Sequence, residues 1–148
     1  MYLDSAIIVK LLVREGDSPW FNQNVQGHEL WSSELALAEV VSALLIKERT
    51  GQISVAERKF ACSQFEAMQE SESVRFHRLS PAIVHHAAGL LTSCHPDVAL
   101  RSLDAIHLAT AMMHPRGPLC TNDGKLRAAA RRMGLTCYPE DISVITTE

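Results

Sequence analysis

The sequence predicts an α/β domain, with a mainly parallel sheet covered by helices on both faces. Three observations lead there. Short apolar runs of strand length recur along the chain, each followed by one or two stretches of helical periodicity. Strands separated by helices need crossover connections, and those suit parallel pairing. The apolar fraction is 47%, mostly Ala, Leu, Val and Ile, while aromatics make up only 5%. That mix fits helices on a buried sheet better than a β-sandwich. The 148 residues contain no repeat, low-complexity tract or Pro/Gly/Ser linker, so residues 1–148 read as one domain.

The elements follow in order. A first strand, Tyr2-Leu3, ends at Asp4-Ser5 and runs into a helix from Ala6 to Val13. Asp17-Ser18-Pro19 offers an N-cap and a proline for the first turn of a short second helix. Glu29 to Ser32 is a second strand, and a strong helix runs from about Ser33 to Thr50, stopped by Gly51. Ser54-Val55-Ala56-Glu57 fits a capping box and opens a helix to about Glu70. Val74 to Leu79 reads as a third strand, and Ser80-Pro81 caps a helix reaching about Cys94. Arg101 to Met113 is helical and Leu119 to Thr121 is a short strand. Lys125 to Met133 is a helix closed by Gly134, and Thr136 to Tyr138 supplies a last strand. Trp20, Phe21 and Trp31 read chiefly as core.

The totals exclude several classes. With 17 acidic and 14 basic residues the net charge is -3, so overall charge does not grip nucleic acid. Any such substrate must be held by a local basic patch, or through a metal that offsets clustered carboxylates. Cys62, Cys94, Cys120 and Cys137 form no CxxC pair, and His85-His86 and Cys94-His95 match no established zinc spacing. Asp4 and Lys10 interrupt the start as a signal peptide, and no run approaches the ~18 apolar residues of a membrane span. A cytoplasmic protein with reduced thiols and no membrane contact is expected.

The informative residues are acids in apolar surroundings. Leu35 to Ile46 carries a single charge, Glu39, in twelve residues. A helix apolar all round is buried, and an unpaired buried carboxylate costs several kcal/mol. Glu39 should therefore meet a cation. Asp104 stands alone in the same way within Leu103 to Met113, and Asp4 and Asp123 follow the first and fourth strands. In parallel sheets ligands bind at those carboxyl ends. One explanation satisfies each acid separately, as a cap or by an arginine, and Asp4 and Asp123 both precede helices. The other brings all four onto a hard divalent cation, Mg²⁺ or Mn²⁺, able to activate water for attack on a phosphodiester.

Four stretches in order carry a resemblance: Tyr2 to Leu11, Leu37 to Val41, Leu100 to Ala111, and Thr121 to Leu126. Through them the chain resembles the PIN-domain nucleases, and most closely the VapC-type toxins of toxin–antitoxin pairs. The resemblance implies a three-layer α/β/α fold and Mg²⁺- or Mn²⁺-dependent endoribonuclease activity. Asp4, Glu39, Asp104 and Asp123 match the acidic metal set by position, with Ser5 and Thr121 as supporting hydroxyls. It also implies a homodimer, an RNA substrate, and a small cognate antitoxin that inhibits by covering the nuclease groove. Ala6 departs from the second hydroxyl that many relatives carry after the first aspartate, which puts one hydrogen bond near Asp4 in question.

Other residues have two readings each. His107, three residues after Asp104, shares its helix face and either serves substrate or is a hydrogen-bonded structural histidine. Lys125, Arg127, Arg131 and Arg132 are either a solvated helix face or an RNA-backbone contact beside Asp123. Two other functions compete with the nuclease: a PIN-like module that binds RNA or a partner without cutting, and a phosphatase using Asp4 as nucleophile. Ala6 replaces the second acid of the phosphatase DxD pattern.

Overall fold

A computed structural model, describing residues 1–145, places each predicted strand in one parallel sheet. The order is β1 (Tyr2–Leu3), α1 (Ser5–Leu12), α2 (Ser18–Asn24), β2 (Leu30–Ser33), α3 (Leu35–Arg49) and α4 (Val55–Glu70). There follow β3 (Val74–His77), α5 (Pro81–Cys94), α6 (Ser102–Met113), β4 (Leu119–Cys120), α7 (Gly124–Arg132), β5 (Cys137–Tyr138) and a 3₁₀ turn, Ile142–Ile145. The strands lie in the order β3-β2-β1-β4-β5, and every pairing is parallel. The chain winds outward from β1 to β3, then returns to the other side of β1. A crevice therefore opens between the carboxyl ends of β1 and β4, where the strand order reverses.

Alternation along β1 divides the core. Leu3 joins α1 to α4 through Ile7, Ile8, Phe21, Val40, Leu44 and Phe65 on one face. Tyr2 joins α5, α6 and α7 through Ile83, Leu90, Leu108 and Leu126 on the other. The result is a three-layer α/β/α sandwich. Among the described residues no helix is long and apolar enough to cross a membrane.

Local chemistry sets most boundaries. The Ser54–Glu57 capping box forms in both directions and starts α4, and the Ser80 hydroxyl caps α5. Gly51 and Gly134 stop α3 and α7 at φ of +71° and +79°, a region costly for residues with a Cβ. β2 begins one residue later than expected, and β3 ends at His77 rather than Leu79. There the Glu34 side chain, not a neighbouring strand, accepts the Leu79 N–H at 3.0 Å.

Three expectations need correction. α3 is not buried all round: Val41 and Leu45 are 39% and 38% exposed. Asp17 does not cap α2 with its side chain; its carboxylate turns to Lys10 Nζ at 2.7 Å. Asp104 lies in the first turn of α6 rather than mid-helix. The helix dipole there favours a carboxylate, which weakens the argument from apolar surroundings alone. Of the aromatics, Phe21 is fully buried, while Trp20 and Trp31 are only partly covered.

Candidate active site

Asp4 stands where β1 becomes α1, held between the backbone of one and the cap of the other. Its N–H donates to the Cys120 carbonyl on β4 at 3.2 Å. Its Oδ1 accepts the Ile7 N–H at 2.9 Å as the N-cap of α1, and its Oδ2 accepts the Thr121 hydroxyl. Burial raises its pKa, against which the Thr121 and Ile7 hydrogen bonds pull down, and the Asp104 charge adds to the rise. A buried carboxylate engaged at both oxygens is a poor candidate for an exposed phosphatase nucleophile.

Thr121 reaches in two directions. Besides donating to Asp4, its hydroxyl oxygen accepts the Asp123 N–H at 3.0 Å. Asp123 caps α7, its Oδ1 accepting the Lys125 and Leu126 N–H groups, each at 2.8 Å. The hydroxyl support put in question by Ala6 is thus present at Asp4, but it comes from Thr121, just after β4. Thr121→Val should cut any nuclease rate by about 10- to 100-fold, because it frees Asp4 and unpairs the Asp123 N–H. Rates in initial-velocity assays, beside an unchanged far-ultraviolet spectrum, check this.

Glu39, in the second turn of α3, meets two donors at one oxygen. Its Oε2 accepts the Ser5 hydroxyl and His107 Nε2, the latter at 2.7 Å. Burial alone would raise its pKa, but the His107 and Ser5 bonds outweigh it and hold the carboxyl below the ordinary range. With the Nε2 proton given to Glu39, His107 Nδ1 is left to accept from the Tyr2 hydroxyl, 2.8 Å away. Where Glu39 was expected to meet a cation, it meets a hydroxyl and a buried imidazole. Tyr2 was not anticipated as part of the site. Strand alternation contained the signal, since Tyr2 lies two residues before Asp4 on the same face.

Asp104 completes the cluster and is its least satisfied member. Its Oδ2 is buried with no hydrogen-bond partner. Burial raises its pKa, and so do the charges of Asp123 and Glu39. The four acids therefore share one electrostatic neighbourhood at the β1/β4 crevice. Beside it an open cleft of about 830 Å³ runs between α2 and the 3₁₀ turn, lined by Asp17, Trp20 and Asn122 among others.

The basic residues of α7 divide. Arg127 is buried and donates to the Thr121, Pro139 and Glu140 carbonyls at 2.9, 2.6 and 3.0 Å. It ties α7 to the chain after β5, a position at odds with an RNA contact. Arg131 donates to the Glu140 carbonyl and Arg132 pairs with Asp97, both at 2.7 Å. Lys125 is exposed. A second network went unforeseen. Buried Lys10 pairs with Glu15 at 2.5 Å and Asp17 at 2.7 Å, and Lys47 also reaches Glu15 at 2.7 Å.

Among the described residues no group of three or more His, Cys, Asp or Glu side chains is placed to hold a metal ion. Mg²⁺ does not demand that, since it usually keeps several waters and takes only one or two carboxylates. The donor set is all hard oxygen, and Asp104 Oδ2 is a buried acceptor without a hydrogen-bond partner. The residues fit such an ion.

The PIN domain family matches residues 1–132. Ribonuclease VapC46 of Mycobacterium tuberculosis is 37% identical over 138 residues, covering 91% of this chain and 93% of the relative. Two solved structures share the fold at lower identity. The M. tuberculosis VapC20 crystal structure, described as a sarcin-ricin loop cleaving toxin, has a TM-score of 0.66 at 17% identity, covering 86% of this chain and 93% of that one. The FitAcB structure from Neisseria gonorrhoeae has a TM-score of 0.68 at 14% identity, covering 94% and 96%. Kinship of this extent supports a general nuclease function. The chain belongs to the PIN-domain family and is homologous to the VapC-type toxins of toxin–antitoxin systems.

Proposed function

We propose that the protein is a Mg²⁺- or Mn²⁺-dependent endoribonuclease that acts as the toxin of a toxin–antitoxin pair. The observation that carries this is the buried, unpartnered Asp104 Oδ2 facing the charges of Asp123 and Glu39 at the crevice. Asp4, Glu39, Asp104 and Asp123 would hold the ion, which supplies Lewis acidity and a more acidic water when bound. The chain's own residues set the geometry. Thr121 fixes Asp4 and Asp123 relative to each other, and the α7 cap turns Asp123 Oδ1 away, leaving Oδ2 open. Ser5 and His107 keep Glu39 ionised and oriented, and Tyr2 fixes the ring of His107. Held this way, the carboxylates need little rearrangement on binding an ion or an RNA phosphate.

Purified protein should cleave RNA with Mg²⁺ or Mn²⁺ and stop in EDTA. Full cleavage by Asp104→Asn would sink the site assignment. A cytoplasmic toxin also needs its antitoxin, a reading supported by a solved relative described as a toxin–antitoxin complex from Klebsiella pneumoniae, with a TM-score of 0.58 at 19% identity, covering 86% of this chain and 89% of that one. Co-purification with the product of a short neighbouring reading frame, and relief of toxicity by it, test that partner. The homodimer draws support from Val41 and Leu45, exposed one turn apart on α3. If they form the subunit contact, Leu45→Lys should sediment as a monomer at concentrations where wild type is a dimer.

A further inference from the structure

On the α6 side of the sheet, the β2–β3 edge carries a column of rings that the acidic site does not use. The His77 ring stacks on Trp31 with centroids 4.8 Å apart and planes 14° apart, and on His114 at 3.9 Å and 8°. Trp31 and His114 do not touch each other, so His77 lies between them. The Arg116 guanidinium lies 4.3 Å over the Trp31 ring and that of Arg75 lies 5.2 Å over it. Arg116 is exposed and is in no ion pair among the described residues, whereas Arg75 has only a long, exposed contact with Glu72 at 3.5 Å.

Two features make this more than an incidental stack. Trp31 Nε1 and His77 Nε2 are both buried without a hydrogen-bond partner. A buried polar group left unpaired is costly, so two in one cluster are a feature that packing alone does not explain. The cluster also brings two guanidinium groups over one indole in a chain of net charge -3. Exposed guanidinium charge beside aromatic rings matches a single-stranded nucleotide, with its phosphate and its base.

The position fits a strand leaving the acidic site. His107 and His114 are seven residues apart and so lie on one face of α6, which also carries Asp104. From Asp104 to His114 the helix rises about 15 Å. The column therefore lies within reach of a short strand held at the acidic centre.

We infer that Trp31, His77, His114, Arg75 and Arg116 form a second, single-stranded RNA-binding subsite that anchors substrate away from the acidic centre. This rests on the proposed ribonuclease function for its choice of ligand.

The test is titration of a short unstructured RNA in EDTA, so that cleavage does not enter, with binding read by fluorescence anisotropy. Arg116→Ala and His114→Ala should each weaken binding by about tenfold, and Arg116→Ala should flatten the salt dependence. Arg49→Ala removes an exposed charge elsewhere and should change affinity less than twofold. In a Trp20→Phe background, RNA should quench the remaining Trp31 emission. Wild-type affinity in both column variants, equal weakening by Arg49→Ala, or no RNA binding in EDTA would overturn the subsite. Loss of self-association without loss of RNA binding would mark the column as a protein contact and overturn it too. Unaltered RNA binding in the variants of an enzyme that still cleaves RNA leaves the ribonuclease reading intact. Absence of cleavage by wild type, with column-dependent binding retained, would refute the ribonuclease reading alone.

Discussion

Asp104→Asn should lose about a thousandfold in RNA cleavage while melting at a higher temperature than wild type in EDTA. The two effects share one cause. Asp104 is half-buried, one of its oxygens has no partner, and Asp123 and Glu39 add like charge. Without an ion this is uncompensated charge, and the amide removes it at nearly the same volume. With an ion the same charge is useful. Saturating Mg²⁺, at a hundred times its dissociation constant, would stabilise wild type by about 2.7 kcal/mol. For a chain of this size that is a rise of about 5–10 °C in Tm. Asp104→Asn should show little of that rise. Differential scanning fluorimetry with and without Mg²⁺ reads it independently of catalysis. Identical Mg²⁺ responses in the two proteins would remove Asp104 from the metal set.

Lys10→Met should destabilise the fold by about 2–3 kcal/mol, read by urea unfolding at neutral pH. Lys10 is 7% exposed, and its ammonium joins Glu15 and Asp17 beneath the turn between α1 and α2. Methionine keeps the stem but leaves two carboxylates with only Lys47 nearby. The pH dependence follows from both partners. Burial alone would raise the Glu15 pKa, but Lys10 and Lys47 outweigh it and the folded value is lowered. Its contribution is thus present above its unfolded value, about 4.3, and disappears as pH falls through the lower folded one. Burial alone would lower the Lys10 pKa, but Asp17 and Glu15 raise it. Its contribution is complete below about 10.4 and disappears as pH rises through the folded value. The stability gap between wild type and Lys10→Met should therefore be widest between about pH 5 and pH 10, closing on either side. An equal gap at pH 3 and pH 7 would contradict the ion-pair account. Because Asp17 also receives Asn122 Nδ2 at 3.4 Å, beside Asp123, the loss should reach the acidic site as a lower rate.

The strands, helices and four acids were legible because each leaves a local mark. Ser54 with Glu57, Gly51 and Gly134 are short-range signals of caps and stops, and the structure uses all of them. Glu39 and Asp104 stood out as single charges in apolar runs and Asp4 and Asp123 by their places after strands, and these last two are indeed caps. Capping and convergence on an ion were offered as rival explanations, and at these two positions the capping is present and orients the carboxylates.

What was not legible depends on contacts between distant segments. Nothing near Arg127 in sequence says that its guanidinium will close on Pro139 and Glu140, so a buried clamp looked like a basic surface. Asp17 was expected to cap because the rule is local, whereas Lys10 takes it once the chain turns back. Tyr2, Ser5, Glu39 and His107 form one hydrogen-bonded line only because α3 and α6 meet above β1. The ring column likewise exists only where β3 pairs with β2 and α6 ends beside them. The sequence by itself determined a parallel α/β domain and the acids at the ends of its central strands, since periodicity and capping are properties of neighbouring residues. Packing alone set which hydroxyl or imidazole each acid meets, because Thr121 lies 117 residues from Asp4, Ser5 34 from Glu39 and His107 68 from Glu39.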